Sequence, residues 1–386
     1  MTQQEITFIQ SAPGRSLLQH ASQMSGDELT VLTQLRKIHP PEDCRTVVHL
    51  LNLRKRAQAK FTHANDMVFD REGLEQSSGE IIAQYRAKRY QPFAQIADLC
   101  CGIGGDAIPL AQNATVITAD INPNRLAITR HNASVHNVAQ SIHPICTNVA
   151  HWIPPCDAIF MDPGRRQDGR RLYALSDYHP PVDLQHLQSI TPNIGIKVAP
   201  GLPESDIPPS CEVEFISESG NCKEAVLWFG NLQTNALRRA TLLPEGHTFI
   251  QDQTSTPQAE VQPPGAYIAE PDNAVVRAHL IDPLAHNLQA WKLSPDVAYL
   301  SANHPLTSPF TTCYSVQDVL PFNLKRLQKY LSTRKIGRLD IKKRHFPLTP
   351  EALRAKLKLK GDGWLTLFLT KIDDRPTVIV CDPSPA

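Results

Sequence analysis

Residues 96–111 run Ile96-Ala97-Asp98-Leu99-Cys100-Cys101-Gly102-Ile103-Gly104-Gly105-Asp106-Ala107-Ile108-Pro109-Leu110-Ala111. An apolar run ends at Asp98, three glycines follow within four positions, and apolar residues then resume at the spacing of one helix face. This pattern predicts a strand, a tight turn and a helix. Glycines suit such a turn because they permit a sharp bend and let backbone N–H groups approach a ligand at the start of a helix.

A second predicted strand, residues 115–120, ends in an acid at Asp120. An acid at the end of the second strand of a doubly wound sheet is placed to accept both ribose hydroxyls of a nucleoside. The alternative is that Asp120 caps the helix that follows Asn122 and Pro123. The glycine spacing, Asp-x-x-x-Gly-x-Gly-Gly, is not the dinucleotide fingerprint, which argues against a dehydrogenase. Asp98 and Asp120 together predict one adenosine-type pocket.

Three segments, 98–106, 120–123 and 130–138, resemble the class I S-adenosylmethionine-dependent methyltransferases, and most closely the branch of the RNA cap guanine-N2 methyltransferases. That branch has the approximate pattern Asp-x-Phe-Cys-Gly-Val-Gly-Gly-Asn, and the upstream segment 68–83 lies where the branch carries a Phe-Ser-x-Thr-Pro-Glu-x-Ile-Ala segment before its first strand. The chain as a whole is similar to bacterial methyltransferases that end in a THUMP-like domain. The resemblance implies an α/β fold with a Rossmann-like sheet, mostly parallel and ending in an antiparallel hairpin.

The resemblance also implies S-adenosyl-L-methionine as the cofactor, held where the first three strands end. The residues that it assigns to cofactor binding are Asp98, Cys100, Gly102, Gly104, Gly105, Asp106, Asp120, Ile121 and Asn148. Asn148 lies where the resembling enzymes contact the adenine edge. A loop asparagine is as often a turn residue, so both interpretations of Asn148 stay open.

The stretch 157–166, Asp-Ala-Ile-Phe-Met-Asp-Pro-Gly-Arg-Arg, supplies the predicted catalytic residues. A fourth sheet strand that ends in Asp162-Pro163 directs the acid at the crevice beside the cofactor. In the resembling amine methyltransferases, Asp, Asn or Ser before Pro-Pro and an aromatic holds the substrate NH2 with its lone pair towards the methyl. The resemblance therefore implies Asp162 and Pro163 as catalytic residues. The alternative is that Asp162 caps a turn.

The motif departs from that pattern, because Gly164 replaces the second proline and Arg165 replaces the aromatic residue. Guanine N2 is therefore not specifically implied. Arg165 and Arg166 are predicted to stack on a base or bind phosphate, and Tyr173 or Tyr178 to replace the missing ring. Carbon methylation of uracil is disfavoured because the strand ending at residue 200 has no cysteine nucleophile.

The net charge of +1 conceals an uneven distribution. Residues 325–360 contain thirteen Lys or Arg against two acids, a segment charge of +11, so the rest of the chain carries about −10. Such a segment is the electrostatic footprint expected for a phosphate backbone. We predict that it contacts RNA, with Arg338, Lys342, Lys343 and Arg344 as substrate-binding residues. The alternative is an ordinary solvated face.

Composition also restricts the class of protein and the kinds of site that are expected. No apolar run approaches ~20 residues and the N-terminus lacks a basic and apolar leader, so we expect a cytoplasmic protein without a membrane partner. The nine cysteines include no Cys-x-x-Cys pair, which favours reduced thiols over a disulfide framework or a zinc site. The histidines lack ligand spacing, so no metal is expected.

Four segments are expected. They are a helical N-terminal region at 1–90, a methyltransferase domain at 91–232, a connecting segment at 233–298 and a basic THUMP-like α+β domain at 299–386. The predicted function is S-adenosylmethionine-dependent methylation of RNA (rRNA, tRNA or another structured RNA) at a base nitrogen, such as an exocyclic amine. Two alternatives remain: a small-molecule or protein methyltransferase, and a non-catalytic RNA-binding protein that keeps the fold.

Overall fold

The structure is a computed structural model that describes residues 1–167, 170–171, 174–251 and 257–383. It divides into two compact units. Unit 1 comprises Met1–Glu212 and Glu224–Thr234, and unit 2 comprises Val213–Lys223 and Asn235–Ala386. Among the described helices, none is both long enough and apolar enough to cross a bilayer.

The helices and strands have the following bounds. The helices are α1 Gln3–Gln10, α2 Ala12–Ser22, α3 Glu28–Leu35, α4 Pro41–Ala57, α5 Arg71–Gln76, α6 Glu80–Ala87, α7 Ala107–Leu110, α8 Pro123–Val135, α9 Leu184–Ile190, α10 Asn273–Arg277, α11 Ile281–Asn287, α12 Leu324–Thr333 and α13 Pro350–Lys356. The strands are β1 Gln95–Leu99, β2 Thr115–Asp120, β3 Ile142–Cys146, β4 Ala158–Met161, β5 Arg166–Gln167, β6 Arg170–Arg171, β7 Ile194–Val198, β8 Glu212–Glu218, β9 Asn221–Trp228, β10 Arg238–Leu243, β11 His247–Gln251, β12 Tyr267–Pro271, β13 Trp291–Ser294, β14 Val297–Ala302, β15 Thr311–Pro321, β16 Ile336–Lys343, β17 Gly363–Ile372 and β18 Arg375–Cys381.

Unit 1 begins with the predicted helical region, α1 to α6. Helices α1 to α5 contribute to one apolar cluster that includes Leu35, Val47, Leu50 and Met67, all fully buried. Ser77 and Glu80 have the spacing of a capping box before α6, but the N-cap residue is Gly79, without a side-chain bond. The Glu80 carboxylate instead accepts the backbone N–H of Thr62 at 2.6 Å. It ties the start of α6 to the preceding loop.

The sheet strands of unit 1 lie in the order β9-β7-β4-β1-β2-β3. Neighbouring strands are parallel except β9, which runs antiparallel to β7. This arrangement confirms the predicted Rossmann-like sheet with an antiparallel final strand. Because the parallel strands end at the same edge, the segments that follow β1, β2 and β4 are brought together there.

Unit 2 contains strands β8, β10 and β11, in which β10 is parallel to β8 and antiparallel to β11. It also contains a seven-stranded sheet in the order β13-β14-β12-β15-β18-β17-β16. Neighbours in that sheet are antiparallel except β16 and β17. Helices α12 and α13 contribute Leu327, Leu331 and Leu353 to a buried cluster with Leu339 and Leu367 of the sheet. This is the α+β module predicted for the basic segment.

Candidate active site

The glycine loop between β1 and α7 contains three residues with left-handed backbone. Cys100, Gly102 and Gly104 have φ angles of 64°, 58° and 87°. A Cβ atom added to Gly102 would meet no atom within 4 Å, whereas one at Gly104 would lie 3.0 Å from the Thr129 side chain. The loop is therefore packed on one side at Gly104 and leaves open space at Gly102, as a ligand cradle requires.

Asp120 joins this loop to the end of β2. Its Oδ2 atom accepts the Gly102 N–H at 3.0 Å, and its Oδ1 atom accepts the Asn122 N–H at 2.8 Å. The α8 cap is Asn122, whose side chain accepts the Asn124 N–H, so capping α8 is not the role of Asp120. Each carboxylate oxygen has a second lone pair, which leaves Asp120 able to accept ribose hydroxyls.

Asp98 is the most unusual acid at this edge. It is 1% exposed, and neither of its carboxylate oxygens has a hydrogen-bond partner among the described residues. Burial, followed by the carboxylates of Asp106 and Asp162, raises its pKa well above the ordinary value. A buried polar group without a partner costs about 1–3 kcal/mol, so this position suits a ligand that brings a donor or a positive charge.

We expect Asp98→Asn to stabilise the protein at pH 8 by about 1 kcal/mol or more, because asparagine does not titrate, while weakening S-adenosylmethionine binding. The folded state retains a proton on Asp98 that the unfolded chain loses above about pH 4. The free energy of unfolding therefore falls as the pH rises from about 4 towards the raised pKa of Asp98 in the folded state. Asparagine abolishes that penalty but cannot become negatively charged when a cationic ligand binds.

Urea unfolding at pH 4 and pH 8 measures the first effect, and calorimetric titration of the cofactor measures the second. Asp296→Asn, at an exposed acid of unit 2, is the matched control. If the wild type and Asp98→Asn differ in stability by the same amount at pH 4 and at pH 8, the assignment of a buried, protonated Asp98 is contradicted.

The segment that precedes α6 packs against the glycine loop. A Cβ at Gly105 would collide with the Ser77 hydroxyl, and one at Gly73 would collide with the Ile103 side chain. Asp70 caps α5 through the Gly73 N–H at 2.8 Å, which fixes the start of this segment. Gly105 therefore provides close packing of protein on protein, whereas Gly102 provides the open side of the loop.

Asp162 follows β4 directly, and its backbone N–H donates to the Leu99 carbonyl of β1 at 3.2 Å. Its Oδ2 atom accepts a hydrogen bond from Lys197 Nζ on β7 at 2.7 Å, and the Asp162 side chain is 20% exposed. The described residues supply no hydrogen bond to the Oδ1 atom. One oxygen is thus anchored in the protein and the other is available at the strand end.

A second buried ion pair backs this edge of the sheet. The Arg86 guanidinium on α6 bridges the carboxylates of Asp106 and Glu224, donates to Ser78 Oγ at 2.8 Å and lies over the Phe160 ring. Asp106 was predicted to bind the cofactor, but the structure places its carboxylate on Arg86. The physical reason is that a buried guanidinium needs a counter-charge and further hydrogen bonds to offset its desolvation.

Ile121 and Asn148 lie at the ends of β2 and β3. Ile121 is 69% exposed, as expected of an apolar side chain available to cover a ligand. Asn148 Oδ1 accepts the Ala150 N–H at 3.0 Å, which is the geometry of a local turn. Burial raises the pKa of the Cys100 thiol, so this residue is not poised as a nucleophile.

The segment after Asp162 is held by backbone hydrogen bonds, and one of its two predicted stacking tyrosines is buried. Pro163 is buried, and Gly164 exchanges two backbone hydrogen bonds with His179, at 2.8 and 2.9 Å. Tyr178 is fully buried and its hydroxyl accepts the Ala199 N–H at 3.0 Å, so the stacking role predicted for its ring does not fit.

The remaining predicted acceptor residues are Arg165, Arg166 and Tyr173. Arg165 is partly exposed. Arg166 has a described backbone in β5, whereas its side chain and all of Tyr173 lie outside the described residues.

The predicted RNA-binding cations of unit 2 divide into two groups. Lys342 and Arg344 face Glu270: Lys342 Nζ forms an ion pair with its carboxylate, and Arg344 donates to the Pro271 carbonyl at 3.4 Å. These two cations already have partners within unit 2, because a partly buried charge requires a counter-charge. Arg338 is exposed with its guanidinium 3.9 Å from the Trp364 ring centroid, and Lys343 is exposed.

Sequence reasoning missed Ser78, Arg86, Lys197 and Glu224 as parts of this site. The available signal was a charged residue inside an apolar strand: Lys197 lies in Ile-Lys-Val, and Glu224 precedes Ala-Val-Leu-Trp. A charge at such a position is buried and must be paired. Among the described residues, no group of three or more His, Cys, Asp or Glu side chains is arranged to hold a metal ion.

Comparisons with known proteins agree with this architecture. A family model described as RNA cap guanine-N2 methyltransferase matches residues 93–179, a THUMP domain-like model matches 311–383, and a domain of unknown function matches 2–57. An uncharacterized S-adenosylmethionine-dependent methyltransferase of Mycobacterium tuberculosis, present in strains CDC 1551 / Oshkosh and ATCC 25618 / H37Rv, is 31% identical over 348 residues. The match covers 86% of this chain and 95% of the relative.

A crystal structure assigned to a methyltransferase of Porphyromonas gingivalis W83 shares the fold. The TM-score is 0.78 at 21% identity, and the alignment covers 99% of each chain. The sheet order, the open glycine loop and the acids at the strand ends thus define a Rossmann-like methyltransferase. The chain belongs to the S-adenosylmethionine-dependent methyltransferases, and S-adenosylmethionine is its cofactor.

Proposed function

We propose that this enzyme methylates RNA at a base nitrogen, with an exocyclic amine as the acceptor. The observation that carries the proposal is Asp162, which presents one carboxylate oxygen at the end of β4 while Lys197 holds the other. The RNA component rests on the two matched family models and on the charge of residues 325–360. The names of the mycobacterial and Porphyromonas relatives specify no substrate.

Cofactor binding would use the glycine loop and the acids around it. We assign the open backbone at Gly102 and the carboxylates of Asp98 and Asp120 to this role, with Ile121 as an apolar cover. Bound S-adenosylmethionine supplies a methyl group on a positively charged sulfur, which is a good leaving group. The protein then has mainly to position the acceptor in line with that methyl.

Asp162 would perform that positioning. Its Oδ1 atom accepts one N–H of the amine and so fixes the direction of the nitrogen lone pair. After transfer, the new N–C bond leaves the nitrogen with an extra proton, which a carboxylate or water can accept. Pro163 fixes the backbone immediately after the acid, because its ring restricts φ.

The decisive experiment measures transfer of labelled methyl from S-adenosylmethionine to total RNA from a strain that lacks the gene, followed by nucleoside analysis. A labelled nucleoside with the methyl on a base nitrogen supports the proposal. Label in protein or small molecules, with none in RNA, overturns it in favour of those acceptors. Tight RNA binding without any transfer would instead identify a binding protein that keeps the fold.

We expect RNA binding to weaken steeply with salt, and Arg338→Ala/Lys343→Ala to reduce the log–log salt slope by roughly 1 for each phosphate that is no longer neutralised. Both side chains are exposed on β16. Filter binding at a series of KCl concentrations measures the slope. The matched control is Arg36→Ala/Lys37→Ala, which removes an exposed Arg–Lys pair from unit 1. Equal slopes for the wild type and both variants would contradict a role of this strand in RNA binding.

A further inference from the structure

Lys197 lies within β7 and is almost completely removed from solvent. Its side chain is 3% exposed, and Nζ donates to Asp162 Oδ2 at 2.7 Å and to Ser78 Oγ at 2.8 Å. The Glu224 carboxylate lies 4.0 Å away. Ser78 also accepts from Arg86, so the ammonium is fixed from two sides and has little freedom to move.

The stability of the sheet does not account for a lysine at this position. Burial lowers the pKa of Lys197, whereas the neighbouring Asp162 carboxylate opposes that shift. Replacing a buried ion pair by apolar side chains of similar volume is often neutral or stabilising. An ion pair that joins Lys197, near the end of β7, to the acid that follows β4 therefore calls for a functional explanation.

We propose that Lys197 is a positioning residue for methyl transfer, which anchors one oxygen of Asp162 and neutralises its charge so that the site accepts a neutral N–H group rather than an ammonium. This inference rests on the proposed role of Asp162 in holding the acceptor. It also deepens that role, because it specifies the charge of the acceptor group.

Anchoring follows from the geometry of the carboxylate. The group is planar. The hydrogen bond from Lys197 to Oδ2 at 2.7 Å and the hydrogen bond from the Asp162 backbone N–H to Leu99 of β1 therefore restrict the direction in which Oδ1 points. Catalytic groups lose rate steeply when they are misplaced by about 1 Å, which makes a second anchor valuable. Without the ammonium, the Asp162 side chain is free to rotate towards solvent.

Neutralisation follows from the charges around Asp162. Within the described residues, the charged and titratable groups that act on Asp162, Lys197 or the adjacent Tyr178 include Arg86, Asp98, Cys100, Asp106, Arg165, Asp206 and Glu224. Asp106 and Glu224 are committed to Arg86, and Lys197 is committed to Asp162. In the described part of the chain, an incoming alkylammonium would meet the Lys197 and Arg165 charges, and the Asp162 carboxylate that would face it is already paired with Lys197, whereas the neutral amine of a nucleobase would not be repelled.

A double-mutant cycle tests the positioning role. We expect Lys197→Met to lower kcat about 10- to 100-fold with little change in KM for S-adenosylmethionine, because the cofactor is not its contact. In an Asp162→Ala background, the same substitution should change kcat less than about 2-fold, because the group on which Lys197 acts is already gone. The double variant also removes both charges, so it leaves no buried charge unpaired.

Lys197→Gln is the second variant should the methionine variant fold poorly, since it keeps a hydrogen-bond donor without the charge. Lys292→Met is the control, because Lys292 is another buried strand lysine with a 2.7 Å ion pair, to Asp282 of unit 2. Equal losses of kcat from Lys197→Met in the wild-type and Asp162→Ala backgrounds would overturn the proposal. A wild-type kcat for the Lys197→Met variant would overturn it as well.

The charge preference is tested with two acceptors, RNA and poly-L-lysine. We expect the wild type to methylate RNA and to leave poly-L-lysine unmethylated, and comparable transfer to both would overturn the preference for a neutral group. If RNA receives no methyl group, the proposed function fails. The double-mutant cycle is then run with the acceptor that the wild type does methylate, and it still decides the role of Lys197.

Discussion

Asp162→Ala should lower kcat by about 10²- to 10⁴-fold while leaving the affinity for S-adenosylmethionine within about 2-fold of the wild type. The physical reason is that the substitution removes the oxygen that would direct the amine, whereas the glycine loop, Asp98 and Asp120 remain in place. Single-turnover methyl transfer measures the first quantity, and calorimetric titration of the cofactor measures the second. This is the largest effect that we expect from any single substitution in the chain.

Two controls separate chemistry from folding. Asp162→Asn keeps the shape of the side chain but has a single acceptor oxygen, which cannot serve both Lys197 and the amine, so it should lose activity as well. Asp162→Ala also leaves the buried Lys197 ammonium without its nearest counter-charge, a loss of about 3–5 kcal/mol where a buried pair is broken. Asp162→Ala/Lys197→Met should recover stability without recovering activity. A variant that loses cofactor binding together with activity would refute the assigned role.

Arg86→Met should destabilise the protein by about 3–5 kcal/mol, the second large effect. Arg86 is 2% exposed and is the ion-pair partner of both Asp106 and Glu224, so its loss leaves two carboxylates in the interior. Asp106 then loses its ion-pair partner, and Glu224 exchanges a close ion pair for the Lys197 ammonium at 4.0 Å. Thermal unfolding followed by circular dichroism should show the loss as a fall in midpoint of the order of 10 °C.

The triple variant Arg86→Met/Asp106→Asn/Glu224→Gln tests this explanation. It removes all three charges, so we expect it to regain a substantial part of the lost stability. Arg36→Met is the control for loss of an exposed arginine and should change the midpoint by less than about 2 °C. If the triple variant is no more stable than Arg86→Met, unpaired charge is not the cause.

Local sequence determined the sheet and its loop. The predicted strand 115–120 coincides with β2, and the strand predicted to end at Asp98 ends one residue later, at Leu99. Alternation of short apolar runs with helix patterns is a local property, and so is the need for glycine where φ is positive. The resemblance that implied the S-adenosylmethionine-dependent class rests on the same local motifs, whose residues Asp98, Gly102, Asp120 and Asp162 each lie at or near the end of a strand.

Only the tertiary structure decided which charged side chains are available in the candidate site and which are paired with other charges inside the protein. Asp106 and Lys342 were predicted to be ligand contacts, yet Asp106 is held by Arg86 and Lys342 by Glu270, 72 residues away in sequence. Lys197 meets Asp162 from a different strand, 35 positions along the chain. Spacing within a motif shows where a charge lies on its own element, but the partner that neutralises it comes from another element, and burial makes that partner obligatory.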